Sequence, residues 1–377
     1  LRNSTTGGSN TAIGNLALNA NTTASNNTAV GYQALDANTT GSENIAIGAS
    51  ALSAATTASS NVAIGHQAMF PTTTGNLNVA VGEQALRLNT VGDRSTAVGA
   101  YSLYSQNPSS NTDMYNTAVG YNALFATTTG VNNTAHGALA LDANTTGSNN
   151  TALGYAALTA STTGSNSIGI GFHSLLSQTT GSENVAIGSY SLDALTTATN
   201  NVAVGRNSLS AVTTGQQNTA LGDTTGFSCV TGAFNTYIGN DTGGSATGSS
   251  NTFVGRYAGG TVTSGEKNTI LGRYNGNQLN LDIRTTSNNI VISDGDGNPR
   301  YEYVSALGTL VLGRGVTYSS IGSNSGALQH YNRDQTQNPR LFPAEDDFTD
   351  LGSSSHRYDN IYATDGTIVT SDSRVKD

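Results

Sequence analysis

The chain predicts an all-β fold, a parallel β-solenoid or β-roll of about sixteen 17-residue coils, and three observations lead there. First, sixteen variants of Asn-Thr-Ala-Val-Gly run between Gly14 and Gly272, and thirteen of the fifteen spacings between their glycines are 17 residues. A repeat that short cannot bury its own apolar face and has to stack on its neighbours. Second, three residues before each glycine stands Thr, Val or Ile, the β-branched types that suit a pleated strand. Third, 45 glycines punctuate the chain, so no 3.6-residue apolar stripe survives for long enough to make a helix.

Each slot of the repeat has its own chemistry. Four residues before the glycine, fourteen units carry Asn; two before it, twelve carry Ala; one before it, fifteen carry Val, Ile or Leu. Four residues after it, eleven of the first twelve units carry Leu and the other carries Met69. These slots read as a strand, a bend, a second short strand and a turn. Successive strand side chains alternate faces, so the aliphatic slots share one face while Ala and Asn share the other. The Ala slot never holds Lys, Glu or Gln. The expectation is therefore burial on both sides, with the aliphatics in the coil's core and the Ala row, Ala118 among it, against sister subunits of a homotrimer. Parallel sheet covered on both faces carries such near-continuous apolar strands. Asn10, Asn27, Asn44, Asn61 and Asn78 should form a side-chain ladder. Sixteen coils rising about 4.8 Å each give a rod of about 75 Å. Three separate rolls and one interwoven triple β-helix both satisfy this pattern.

Irregularities divide the chain. The repeat region covers 1–276, with variant coils from 222, where the Leu slot becomes Gly226, Gly243, Gly259 and Gly276 and the last three Ala slots become Tyr237, Phe253 and Ile270. That exchange conserves core volume. Four extra residues between Gly99 and Gly120 predict an outward loop bearing Pro108 and Tyr115. Residues 277–348 read as a β-rich connecting region and 349–377 as a C-terminal segment. Leu1 occupies the slot that Leu18 fills one unit later, so the chain is expected to begin in mid-coil.

Composition narrows the function. A formal charge of −9 argues against nucleic acid, whose binders carry basic patches, and against an anionic membrane surface. No apolar run approaches the roughly 18 residues of a membrane-spanning helix. Cys229 is the only cysteine, and the histidines lack metal-ligand spacing. His136 stands in an aliphatic slot and is expected to be a hydrogen-bonded core residue. Asp294-Gly-Asp-Gly-Asn298 begins like a calcium loop but continues with Pro299 and Ser305 where Gly and Glu are needed; it reads as a tight turn. Neither a metal nor a cofactor is expected. Glycosidases need paired carboxylates, whereas Asp36, Asp142, Asp193, Glu43 and Glu183 fall in separate coils as surface decoration.

The Asn-Thr-Ala-Val-Gly-Tyr-x-Ala-Leu pattern resembles the head repeats of trimeric autotransporter adhesins, and similar repeats occur in phage tail fibres. That resemblance implies a left-handed parallel β-roll, three chains side by side, and adhesive work at a surface. Asp350-Leu-Gly-Ser-Ser-Ser-His-Arg-Tyr-Asp-Asn-Ile-Tyr-Ala363 with Thr370-Ser-Asp-Ser-Arg-Val-Lys376 looks like the tail-fibre segment leading into an endosialidase-type intramolecular chaperone domain. In that family the C-terminal domain drives trimer assembly and then cuts itself off. Carried onto this chain, the resemblance places cleavage between Ser371 and Asp372, with Ser371 as nucleophile and Lys376 as its base.

The expected function is a structural fibre and host-receptor-binding protein, the distal part of a tail fibre, on a virion or otherwise extracellular. Its partners would be two further copies and a cell-surface glycan or protein receptor, without membrane insertion. The slot after the motif glycine varies freely and should display outward; Tyr32, Tyr121, Tyr155 and Phe172 there, with Tyr115 in the insertion, are the receptor-binding candidates. Other readings are a cellular trimeric adhesin or extracellular filament, a polysaccharide depolymerase, and an ice-binding solenoid built on stacked Thr.

Overall fold

The structure, a computed structural model, describes residues 3–305 and the backbone of 309–312, 328–331 and 340–343. Sixteen three-residue strands, β1 (Thr11–Ile13) through β16 (Thr269–Leu271), form one parallel sheet, and the described residues include no helix. Each strand pairs with the next at the register of one repeat, as in Thr28↔Ile45, Ala29↔Ala46 and Val30↔Ile47. Every coil is thus closed by a single chain, the arrangement of separate rolls rather than of an interwoven helix.

The faces of the strand are the reverse of the sequence expectation. Ala29, Ala46, Ala63 and Ala118 are fully buried inside the coil of their own chain, together with Asn44 and Asn61. The aliphatics flanking them point outward: Ile45 and Ile47 are 39% and 38% exposed, and Leu153 45%. The cause is the narrowness of the coil. In the unit around Gly48, the interior is filled by Ala46, Ala51, Leu52, Ala55 and Ala58, all without exposure. A strand side chain larger than Ala has no room opposite Leu52. The absence of Lys and Glu from the Ala slot therefore reflects packing of the chain on itself. His136 follows its column outward and is exposed, so it is not a core residue.

No second strand forms in the coil. Three left-handed residues per unit carry the chain round instead, as at Asn26, Gln33 and Leu35 (φ 60°, 55° and 50°). Their neighbours still bond coil to coil: Leu35 N–H donates to the Ala51 carbonyl at 3.1 Å and Thr39 N–H to the Thr56 carbonyl at 3.0 Å. At Gly48 φ is 135°, and a Cβ there would lie 2.5 Å from the Gly65 carbonyl oxygen. Close stacking of successive corners is what keeps that slot glycine.

The stack satisfies the Asn slot of the interior, while Asn38 Oδ1, Asn144 Oδ1 and Ser161 Oγ are buried without a partner. The Asn44 backbone N–H donates to Asn27 Oδ1 at 2.9 Å, and Asn44 Nδ2 donates to the same oxygen at 3.1 Å and to the Ala58 carbonyl at 2.8 Å. Asn61 repeats the arrangement one coil on, so the Asn10–Asn78 ladder exists, inside the roll. Three residues after the Leu slot some coils bury a second amide, as at Asn38, whose Nδ2 donates to the Gly41 carbonyl at 2.9 Å.

In the variant coils the volume exchange is observed directly. Tyr237 and Phe253 are fully buried, and a Cβ at Gly243 or Gly259 would lie 2.9 Å or 2.4 Å from their rings. The roll also runs one coil past residue 276. After a two-stranded hairpin, β17 (Asn277–Gln278) with β18 (Leu281–Asp282), β19 (Ile290–Ser293) pairs in parallel with β16. Asn289 extends the ladder, its N–H donating to Asn268 Oδ1 at 2.9 Å. From there the direction reverses: β20 (Pro299–Val304) pairs antiparallel with β19 and begins a meander with β21 (Thr309–Leu312), β22 (Leu328–Tyr331) and β23 (Arg340–Pro343).

Candidate binding surface

The outward face of the strands carries an apolar stripe, a column of Val, Ile and Leu flanked by a second column of Thr, Val and Ile. Ile13, Ile45, Ile47, Leu153, Ile168, Ile187, Val202, Leu221, Ile238, Leu271, Ile290 and Ile292 are each exposed by more than a third. The column just before the motif glycine is aliphatic except at His136, and the column two residues earlier is Thr in ten of sixteen coils and Val or Ile in the rest. Monomeric proteins rarely expose a contiguous apolar patch beyond a few hundred Å². This stripe runs the length of the roll.

The turn after the motif glycine presents a different surface. Tyr32, Tyr121, Tyr155 and Phe172 are all exposed there, as the sequence led us to expect. One repeat of spacing brings some of them together. Tyr155 and Phe172 stack with centroids 5.6 Å apart and planes at 14°. His173 and Tyr190, from the next slot along, complete the group: His173 stacks on Phe172 at 3.8 Å and meets Tyr190 edge-on at 5.6 Å. A second group joins Tyr121 edge-on to Tyr101 at 6.0 Å, and Tyr104 stacks on Phe125 at 5.0 Å. Tyr32 joins neither. Tyr101, Tyr104, Phe125, His173 and Tyr190 are not among the sequence-based candidates, although equal slots one coil apart signal the Tyr104–Phe125 and His173–Tyr190 contacts.

Tyr115 is exposed in the insertion, where its hydroxyl donates to Asp113 Oδ2 at 3.0 Å and Arg94 lies 5.9 Å over its ring. Residues 109–111 protrude, but Pro108 is buried and Met114 fills the interior beside Gly92. Only part of the insertion is an outward loop, because its apolar members replace the core of the coil they interrupt.

Charged groups mark two places. Burial raises the pKa of the Asp193 carboxyl, offset in part by the backbone N–H groups of Asp193 and Ala194 and by the charge of His173. Asp294 is the opposite case. Its carboxylate accepts the backbone N–H of Asn298 at 2.9 Å, the backbone N–H of Asp296 at 3.0 Å, and the Arg300 guanidinium, so its pKa lies far below the usual range. That stability is present above the ordinary carboxyl pKa and is lost as the pH falls below it. The segment serves as the turn between β19 and β20, its first carboxylate taken by the protein's own donors. Among the described residues no cluster of His, Cys, Asp or Glu is arranged to hold a metal, and no helix is long and apolar enough to cross a membrane. Ser371, Asp372 and Lys376 lie outside the described residues.

Compared with known protein families, curated proteins and solved structures, the chain matches none of them.

Proposed function

We propose that the chain is a homotrimeric fibre segment that binds a receptor on a cell surface, as the distal part of a phage tail fibre. The observation that carries the reading is the apolar stripe. Burying it against sister rolls removes from water two columns of Val, Ile, Leu and Thr, at about 25 cal/mol per Å² of apolar surface. Parallel packing would set the same column of each copy against its equivalents, leaving the aromatic turns outward. The resemblance of the repeat to trimeric adhesin heads supplies the number three, and the resemblance of the C-terminal segment supplies the virion setting. Self-cleavage between Ser371 and Asp372 belongs to the same reading and rests on that resemblance alone. A cellular adhesin would use the same roll.

Sedimentation equilibrium tests the assembly. The purified chain is expected at three times its own mass, and Ile187→Glu, which places a charge in the stripe without touching the interior, is expected to shift it toward monomer. A wild-type chain that sediments as a monomer at micromolar concentration would sink the proposal.

A further inference from the structure

Three hollows lie end to end along the turns that follow the motif glycines, away from the strand stripe in the coil. The first, of about 490 Å³, is lined by Tyr190, Asp193, Asn207, Ser210 and Phe227. The second, of about 240 Å³, shares Phe227 and continues past Asp241 and Gly244 to Tyr257. The third, of about 180 Å³, shares Tyr257 and ends at Arg273 and Asp296. Phe227 is common to the first two and Tyr257 to the last two, so the three adjoin in a row that forms a ring-partitioned groove along the axis. It spans five coil steps, Gly188 to Gly205, Gly222, Gly239, Gly255 and Gly272, or about 24 Å at the usual interstrand spacing.

The middle of the groove is open because side chains are missing there. Five residues after the motif glycine, earlier coils include Phe70, Arg87, Tyr104 and Phe125, and the groove coils carry Asp193, Ser210 and Phe227 and then Gly244 and Gly260. Gly260 has a steric reason, since a Cβ would come within 3.0 Å of the Tyr257 ring. Gly244 has none: its φ lies outside the left-handed region, and a Cβ would meet no atom closer than 3.6 Å. The backbone accepts any residue there. What glycine does at 244 is leave the floor of the groove bare.

The lining has a definite chemistry. Tyr190, Phe227 and Tyr257 are 41%, 47% and 42% exposed and offer apolar ring faces at successive stations. Between them stand hydrogen-bonding groups. The Thr224 hydroxyl donates to Asp241 Oδ1 at 2.7 Å, which orients that carboxylate. Asp193 lines the first hollow, with its Oδ1 enclosed by the protein. Among the described lining residues, Asp193, Asp241 and Asp296 outnumber the one cation, Arg273, which disfavours anionic chains. A ligand that fits is extended, repeats along its length, alternates apolar faces with hydroxyl donors, and carries no negative charge. Binding sites in general join aromatic walls to a few placed polar groups in this way.

We infer that this groove binds a neutral oligosaccharide laid along the roll axis, its rings on Tyr190, Phe227 and Tyr257 and its hydroxyls donating to Asp241. The inference rests on the receptor-binding reading and names its ligand class.

The test screens the full chain on an array of neutral and acidic glycans. Hits are then titrated calorimetrically beside maltohexaose and oligosialic acid as neutral and acidic probes. A neutral glycan is expected to bind, and Gly244→Phe to weaken it at least tenfold with an unchanged Tm. Tyr257→Ala, which empties the groove instead of filling it, is expected to weaken it similarly and keeps the test independent should Phe at 244 distort the coil. Preference for acidic glycans, absence of any neutral hit, or full affinity in both variants overturns the assignment. A hit that survives both variants but is lost in Tyr155→Ala leaves the receptor reading standing and removes only the groove; sedimentation reads the assembly separately.

Discussion

The coils from Gly14 to Gly205 and those from Gly222 to Gly272 follow one backbone path with opposite allocations of bulk. In the first set the strand contributes Ala and the turn contributes Leu, as with Ala118 and Leu124. In the second the strand contributes Tyr237 or Phe253 and the turn contributes Gly243 or Gly259. The backbone left-handed turn is common to both: Leu124 has φ 53° and Gly243 φ 61°. What the solenoid fixes is therefore the total volume of the cross-section, not the slot that supplies it. The outer surface differs in step. Tyr104 and Phe125 stack over two early turns, whereas Gly244 and Gly260 leave the same slot bare in two late ones.

The largest effect is expected from forcing bulk and charge into an early coil. Ala118→Lys sets an ammonium opposite Leu124 in an interior with no exposure. Burying an unpaired charge costs several kcal/mol, so the variant should lose its cooperative thermal transition by circular dichroism. Tyr121→Lys changes a ring that is 54% exposed three residues away and should stay within about 0.5 kcal/mol of wild type. Similar transitions in the two variants would break the distinction between interior and surface.

Next in size is an exchange that turns a late coil into an early one. A Cβ at Gly226 would lie 2.7 Å from Leu209 Cδ2 and 2.8 Å from Tyr237 Cδ2, so Gly226→Leu alone overpacks the site by about 1–3 kcal/mol. Tyr237→Ala alone removes a buried ring at a cost of about 3–5 kcal/mol. Together they restore the Ala-and-Leu pairing, and the double variant should be more stable than the sum by about 1–3 kcal/mol of coupling. Urea midpoints measure all three. Strict additivity would mean that the two slots do not share one volume.

The period and the strand register were legible because both are properties of spacing, and Thr28↔Ile45 follows from counting alone. Which face lies inside was not. Alternation separates the Ala row from the Val/Ile row without saying which is enclosed, and both rows exclude charge. Small residues fit either a narrow interior or a close neighbour; only the closed coil around Ala46 and Leu52 decides. The second strand failed for a different reason. Left-handed Gln33 and Leu35 carry no sequence mark, since non-glycine residues seldom adopt that conformation. For the surface, the outward column of Tyr32, Tyr121, Tyr155 and Phe172 was readable from its free variation. The groove was not, because Gly244 looks like any turn glycine until its surroundings show that nothing requires one.

The smallest effect concerns the slot seven residues after the motif glycine, where early coils use Asn38, Asn89 and Asn144 and the late coil at Gly222 uses Cys229. Each early amide donates to a carbonyl three residues on, at 2.9 Å to Gly41, 2.9 Å to Gly92 and 3.1 Å to Gly147. The Cys229 thiol makes the same contact weakly, with Sγ 3.5 Å from the Gly232 carbonyl oxygen. It is a small buried group in an amide's position. Cys229→Asn is therefore expected to keep its stability to within about 1 kcal/mol, the stronger hydrogen bond offsetting the burial of a larger polar side chain. Burial also pushes the thiol pKa up to about 11, which leaves little reactive thiolate at neutral pH. In the native wild type, a thiol reagent should label Cys229 only at the rate of opening of its coil, and at once in denaturant. Prompt native labelling, or a loss of several kcal/mol in Cys229→Asn, would show that the late coils differ from the early ones in more than where they keep their bulk.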